Sequence, residues 1–182
     1  MDEQLEFLRL IVARLESAGI RYMVTGSVAM AIYSVPRMTR DIDLVVECRP
    51  EDAERIAKLF EADCYVDLET IRKAVAGRAM FNIIHSEWVI KADFITRKDE
   101  PYRRLEFERR RRAVVGDLTV TVVAPEDLIL SKLCWATESD SALQQRDARW
   151  LIGSVPNLDV PYLETWAQRL GVGSLLDRAR SA

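Results

Sequence analysis

Histidine is nearly absent from this chain: His85 is the only one among 182 residues. Cysteine is scarce too, and Cys48, Cys64 and Cys134 are far apart, with no Cys-x-x-Cys pair. These shortages exclude a zinc site built from clustered Cys and His ligands. They also exclude a nucleophile–histidine triad, since no Ser/Asp or Cys arrangement lies near His85, which reads as a polar residue at a hairpin tip. The cysteines give no disulfide framework, as expected of a reducing compartment, and Cys134, in an apolar helical run, is expected in the core. No window approaches about eighteen uncharged apolar residues, so no membrane-spanning helix is expected. The start, Met1-Asp-Glu-Gln-Leu-Glu-Phe7, is acidic and lacks the basic and apolar regions of a signal peptide, so a cytoplasmic location is expected. There is no internal repeat and no low-complexity linker. Nor is there an excess of positive charge: the net charge of −3 does not advertise a nucleic-acid binder.

What is present suffices for a folded globule. A hydrophobic content of 49% supports a proper core, and 30% charged residues supply a soluble surface. Leu5, Leu8, Val12 and Leu15 recur at helical spacing over 2–18, with Gly19 as the stop. Short apolar strands are predicted at 21–25 and 42–46, with a helix over 27–34 between them and Pro36 ending it. Helices are expected over 50–62 and 67–76. Apolar strands at 79–84 and 88–95 are joined by His85-Ser86-Glu87, and Gly116-Asp117 turns a second hairpin between 114–115 and 118–123. The first half is therefore a mixed sheet with helices on one side. After Pro125 the pattern changes to helices over 126–138, 141–153, 160–170 and 173–180. The fold class is α+β, divided as a core over 1–124 and a small helical subdomain over 125–182 packed on it.

The most informative stretch is Tyr22-Met-Val-Thr-Gly26-Ser27, followed after residues 28–40 by Asp41-Ile-Asp43-Leu-Val-Val46. Alternation along a strand points Asp41 and Asp43 to one face. Two adjacent carboxylates repel unless a cation sits between them, and hard oxygen ligands suit Mg²⁺ or Mn²⁺. Gly26-Ser27 at the mouth of a helix offers backbone N–H groups and a positive dipole end to phosphate. Trp88-Val-Ile-Lys-Ala-Asp93-Phe-Ile95 is a strand carrying one carboxylate, costly to bury without a partner. That partner is a shared metal, or Lys91 or Arg97. Arg103-Arg104 and Arg109 to Arg112 read as a solvated face, or as a basic patch for a triphosphate or an RNA backbone.

Gly-Ser followed by Asp-Ile-Asp resembles the signature of the polymerase-beta-like nucleotidyltransferase superfamily. Pro125-Glu-Asp-Leu-Ile-Leu-Ser-Lys132-Leu, the Gln-x-Arg-Asp147 helix and Leu158-Asp-Val-Pro-Tyr-Leu-Glu-Thr-Trp-Ala167 are similar to segments of a subgroup related to the abortive-infection type IV toxins. The resemblance spans nearly the whole chain. It implies transfer of a nucleoside monophosphate from a nucleoside triphosphate to a hydroxyl of RNA, protein or a small molecule. It implies that Asp41, Asp43 and Asp93 are the catalytic and metal-holding acids. Nucleotide contacts would come from Gly26, Ser27, Arg37, Arg40 and Lys132, with Asp147 receiving Lys132 or helping to activate the acceptor. Lys132 is expected at the edge of its helix's apolar face, as a flexible point charge reaching the phosphates. An antitoxin-like partner would follow from the toxin resemblance. The competing expectation is a nucleotide-binding or partner-binding module that keeps the fold without turnover.

Overall fold

The computed structural model describes residues 3–34 and 41–181. Among them, α1 (Glu3–Ser17) leads into β1 (Arg21–Thr25) and α2 (Gly26–Tyr33). β2 (Ile42–Glu47), a 3₁₀ turn (Pro50–Asp52), α3 (Ala53–Phe60), β3 (Cys64–Tyr65) and α4 (Leu68–Gly77) follow. Next come β4 (Met80–His85), β5 (Lys91–Thr96), α5 (Pro101–Glu108), β6 (Arg111–Val115) and β7 (Leu118–Val122). Four helices close the order: α6 (Pro125–Ser139), α7 (Ala142–Ser154), α8 (Val160–Arg169) and α9 (Gly173–Arg180). The fold is α+β with a mixed seven-stranded sheet, ordered β3-β4-β5-β2-β1-β7-β6. β2 lies antiparallel to β1 and parallel to β5, while β1 and β7 run parallel.

Alternation along the strands divides the apolar residues between two clusters. Ile42, Leu44 and Val46 of β2 join Phe7, Ile11, Ile56, Phe60 and Ile71 on the face covered by α1, α3 and α4. The opposite parity of β2 carries Asp43 and Val45. On that side Met23, Met30 and Val122 pack with Leu128, Ile129, Leu133, Leu151 and Leu163. The second half of the chain, together with α2, thus covers the face opposite α1, α3 and α4, and the second cluster draws on residues from both sides of Pro125. No helix among the described residues is long and apolar enough to cross a membrane.

Several local expectations are corrected. The helix α5 lies where a charge run was read, because Tyr102 and Phe107 bury one side of it while its arginines face acids. Arg103 hydrogen-bonds Glu106 and Ser131, and Arg109 pairs with Glu126 and Asp127. Arg111 reaches Glu126 at 3.4 Å. Part of the basic run is thereby committed to internal acids. β6 begins at Arg111, since arginine side chains are at home on the edge of a sheet. The hairpin after β4 turns over residues 86–90, with Val89 at φ 52° and exposed. His85 is buried, stacked on Trp88 at 3.9 Å and edge-on to Phe7 at 5.2 Å, so it is a packing residue. Cys48 and Cys64 are buried free thiols, whereas Cys134 is only half-buried.

Candidate active site: an acidic wall facing a buried lysine

β1 enters the site with buried Met23 and Val24, and at Gly26 the chain turns into α2. Gly26 has φ +62°, a backbone state that favours glycine. A Cβ built there would lie 2.6 Å from Asp43 Cγ, so the missing side chain is also what lets the carboxylate approach. Thr25, at the N-cap, makes no side-chain cap. The Asp43 carboxylate lies against this turn, where the Ser27 backbone opposes the rise in its pKa. Gly26→Ala should therefore combine left-handed strain with displacement of Asp43. The expected loss is about 1–3 kcal/mol of stability, measured by urea unfolding; a parent-like midpoint would remove the close-packing argument.

The acids come from two neighbouring strands. Register pairs Asp43 with Asp93 across parallel β2 and β5, so both side chains share a face. Asp41 precedes β2 by one residue and is exposed. Burial and the nearby Asp93 charge hold the Asp43 carboxyl above the usual carboxylate range, with Asp41 adding to the rise and Lys132 opposing it. Asp93 is buried; its Oδ2 accepts from Lys91 Nζ at 2.7 Å, and its Oδ1 accepts no hydrogen bond. Arg97, the other expected partner of Asp93, pairs with Glu47 at 3.0 Å instead.

The opposite wall is α6. Pro125 occupies its first turn, where a missing N–H costs nothing. Lys132 is buried, not at an exposed helix edge, and its Nζ donates to Asp147 Oδ2 of α7 at 2.8 Å. The flexible lysine expected from the sequence is thus a fixed one. Asp147 is itself fully buried, so it is not a surface partner of Arg146 or Arg149.

One open cleft of about 370 Å³ is lined by Gly26, Ser27, Asp41, Asp43, Asp93 and Lys132, with Met80, Trp135 and Gln144 toward its rim. Asp147 stands behind Lys132. Arg37 and Arg40 lie outside the described residues. The residues missed in sequence are Ser131 and Trp135, which line this cleft and an adjoining one of about 100 Å³. Their signal was the helical spacing from Leu128, which sets residues 131, 132 and 135 on one side of α6. Among the described residues no three His, Cys, Asp or Glu side chains are already gathered to hold a metal ion. The donor set nevertheless suits a divalent cation: Asp93 Oδ1 is buried without a hydrogen bond, beside a second carboxylate that burial has made costly to ionise.

A family model described as the nucleotidyl transferase AbiEii toxin of type IV toxin–antitoxin systems matches residues 10–149. The chain belongs to this family. The match runs from α1 into α7, and so takes in every residue that lines the cleft, and Asp147 as well. Among the curated proteins no sequence match is found. Among solved structures, the antibiotic-resistance factor ANT(2'')-Ia is similar with a TM-score of 0.64 at 17% identity, covering 100% of each chain. An antigenic nucleotidyltransferase-like protein from Paracoccidioides brasiliensis has a TM-score of 0.59 at 18% identity, covering 97% of this chain and 93% of its own. The lincosamide antibiotic adenylyltransferase LnuA, lincomycin-bound, has a TM-score of 0.56 at 12% identity, covering 85% of this chain and 98% of its own. These likenesses are likenesses of fold.

Proposed function

We propose that this chain is a divalent-metal-dependent nucleotidyltransferase that moves a nucleoside monophosphate from a nucleoside triphosphate onto a hydroxyl acceptor. The observation that carries the reading is one cleft with carboxylates on one wall, a buried lysine on the other, and a helix N-terminus between them. In the reaction, the acceptor oxygen forms a bond to the α-phosphorus, the bond from that phosphorus to the bridging oxygen breaks, and pyrophosphate leaves. The acceptor's proton goes to a carboxylate, for which Asp93, with a buried Oδ1 that accepts no hydrogen bond, is the candidate. Asp41, Asp43 and Asp93 would hold Mg²⁺ or Mn²⁺, which when bound supplies charge neutralisation and orientation to the phosphates.

The remaining work falls to the polypeptide. The N-terminal turn of α2, at Gly26 and Ser27, presents its dipole to the β- and γ-phosphates. Lys132 neutralises the departing pyrophosphate, and Asp147 keeps that ammonium in place. Arg37 and Arg40 follow α2 in sequence and are proposed to contact the triphosphate. The acceptor belongs to RNA, protein or a small molecule. ANT(2'')-Ia is known bound to adenylyl-2''-tobramycin, which makes small polyhydroxylated molecules a class worth including. The toxin–antitoxin description of the family brings an antitoxin-like partner, and a cytoplasmic site of action, into the proposal.

The test is incubation with each of the four α-labelled nucleoside triphosphates, a cell extract, and either Mg²⁺ or a chelator. Label is expected in a macromolecular or small-molecule product with Mg²⁺ alone. If no triphosphate labels anything, and none binds in an equilibrium assay, the transferase reading falls.

A further inference from the structure

Lys91 stands where the acidic wall needs a positive charge. Its Nζ lies 2.7 Å from Asp93 Oδ2 and 3.9 Å from Asp41 Oδ1. The sheet register explains this reach. Ile42 pairs with Ala92 and Asp43 with Asp93, so one step back sets Lys91 beside Asp41. Alternation also gives Lys91 the same face as Asp93. One ammonium thus bridges the outer two carboxylates while Asp93 keeps an oxygen without a hydrogen bond.

The two lysines of the site differ in how they are held. Lys132 is enclosed, and its side chain is 5% exposed against a fully buried Asp147. The Lys91 side chain is 36% exposed, on a flexible stem with solvent beside it. An ammonium and a divalent cation compete for the same carboxylate oxygens, and the ion of higher charge gains more from them. A half-exposed lysine loses little when it is displaced, because water takes over its solvation. Its tether keeps it beside Asp41 and Asp93, which line the cleft, so after displacement the remaining ligand of opposite charge within reach is the nucleotide.

We propose that Lys91 is an exchangeable counter-ion: it occupies the acidic wall until a divalent cation arrives, and its released ammonium then binds the phosphates of the nucleotide. This rests on the transferase reading above and assigns Lys91 two successive partners. It makes metal and nucleotide binding mutually reinforcing, since the metal frees a phosphate-binding group and the phosphates keep that group off the acids.

The test is calorimetric titration of the parent, Lys91→Met and Lys91→Arg with Mn²⁺ alone, and then of each Mn²⁺-loaded protein with a nonhydrolysable nucleoside triphosphate. Lys91→Met should bind Mn²⁺ about tenfold more tightly, one competing charge being gone, and the triphosphate about tenfold more weakly. Lys91→Arg, which keeps the charge, should lie closer to the parent on both axes. Thermal unfolding supplies a readout independent of turnover. Lys91→Met should melt below the parent in chelator and gain more than the parent on adding Mn²⁺. A purely structural ion pair cannot produce the opposite signs of the two affinity changes. Unchanged or weakened Mn²⁺ affinity in Lys91→Met, with the parent binding normally, would overturn the proposal alone. A variant that stays unfolded with Mn²⁺ would overturn it too, by making Lys91 a fixed structural partner. A parent that binds neither Mn²⁺ nor triphosphate would take the transferase reading down with it.

Discussion

Lys132→Met should cost about 3–5 kcal/mol of folding stability, the range for stripping one partner from a buried ion pair. The ammonium and the Asp147 carboxylate are 2.8 Å apart, and both residues are buried. Methionine fills the space of the lysine stem but leaves a carboxylate in an apolar seam between α6 and α7. Lys132→Met combined with Asp147→Leu should recover part of that loss, because the buried carboxylate that the ammonium faced is gone as well. It should not recover triphosphate binding, for which loss of a charge-assisted contact predicts about 1.5–3 kcal/mol. Urea unfolding of the three proteins, with triphosphate titration of those that fold, separates the two effects. A single variant as stable as the parent would mean that water reaches Asp147 and the pair is not the rigid element described. Parent-like triphosphate affinity in the double variant would remove Lys132 from the nucleotide site.

Asp43→Asn carries the largest expected effect on chemistry. Transfer should fall about 10³-fold or more, the scale of several kcal/mol of lost phosphate-charge stabilisation. Stability should move the other way. The Asp43 carboxyl pKa is raised by burial and by Asp93, so ionising it costs the folded state. The sign follows from the linkage. A carboxyl whose folded pKa lies above its unfolded value favours the folded state more as pH falls toward that unfolded value. Asparagine removes the penalty and the pH dependence together, while retaining the volume beside Gly26. In chelator at neutral pH the variant should therefore melt above the parent, and the gap should narrow as the pH is lowered. Transfer at the parental rate would strip Asp43 of its role; a variant less stable than the parent at neutral pH would show that the Asp43 carboxylate is not held at a cost to the fold.

The parts of the site that sequence made legible are those governed by short-range rules. Strand alternation paired Asp41 with Asp43, and an apolar strand around Asp93 announced a carboxylate in need of a partner. The Gly26-Ser27 turn was readable because only glycine tolerates both φ +62° and a carboxylate at its back. What escaped depends on residues distant in sequence. His85 looks like a turn residue until Phe7 of α1 arrives against it. The segment Pro101–Glu108 carries too few apolar residues to reveal a helix, and its arginines find their acids, Glu126 and Asp127, only once α6 is in place. Lys132 reads as a helix-edge lysine because nothing local shows that α7 closes over it. Lys91 was visible only as one of three ways to neutralise Asp93, beside a metal and Arg97; register adds its approach to Asp41.

The order of these residues along the chain has a consequence during synthesis. A ribosome releases Gly26, Asp43 and Asp93 first, and Lys132 with Asp147 well afterwards. Until α6 and α7 emerge, Met23, Met30 and Val122 lack the cover of Leu128, Ile129, Leu133 and Leu151, and the carboxylates face no fixed lysine. A nascent chain at that stage carries an acidic half-site on a sheet face that only α2 and α5 partly cover, without the second wall of the cleft. Competence arrives late and all at once, when the last turns that lock Lys132 leave the exit tunnel.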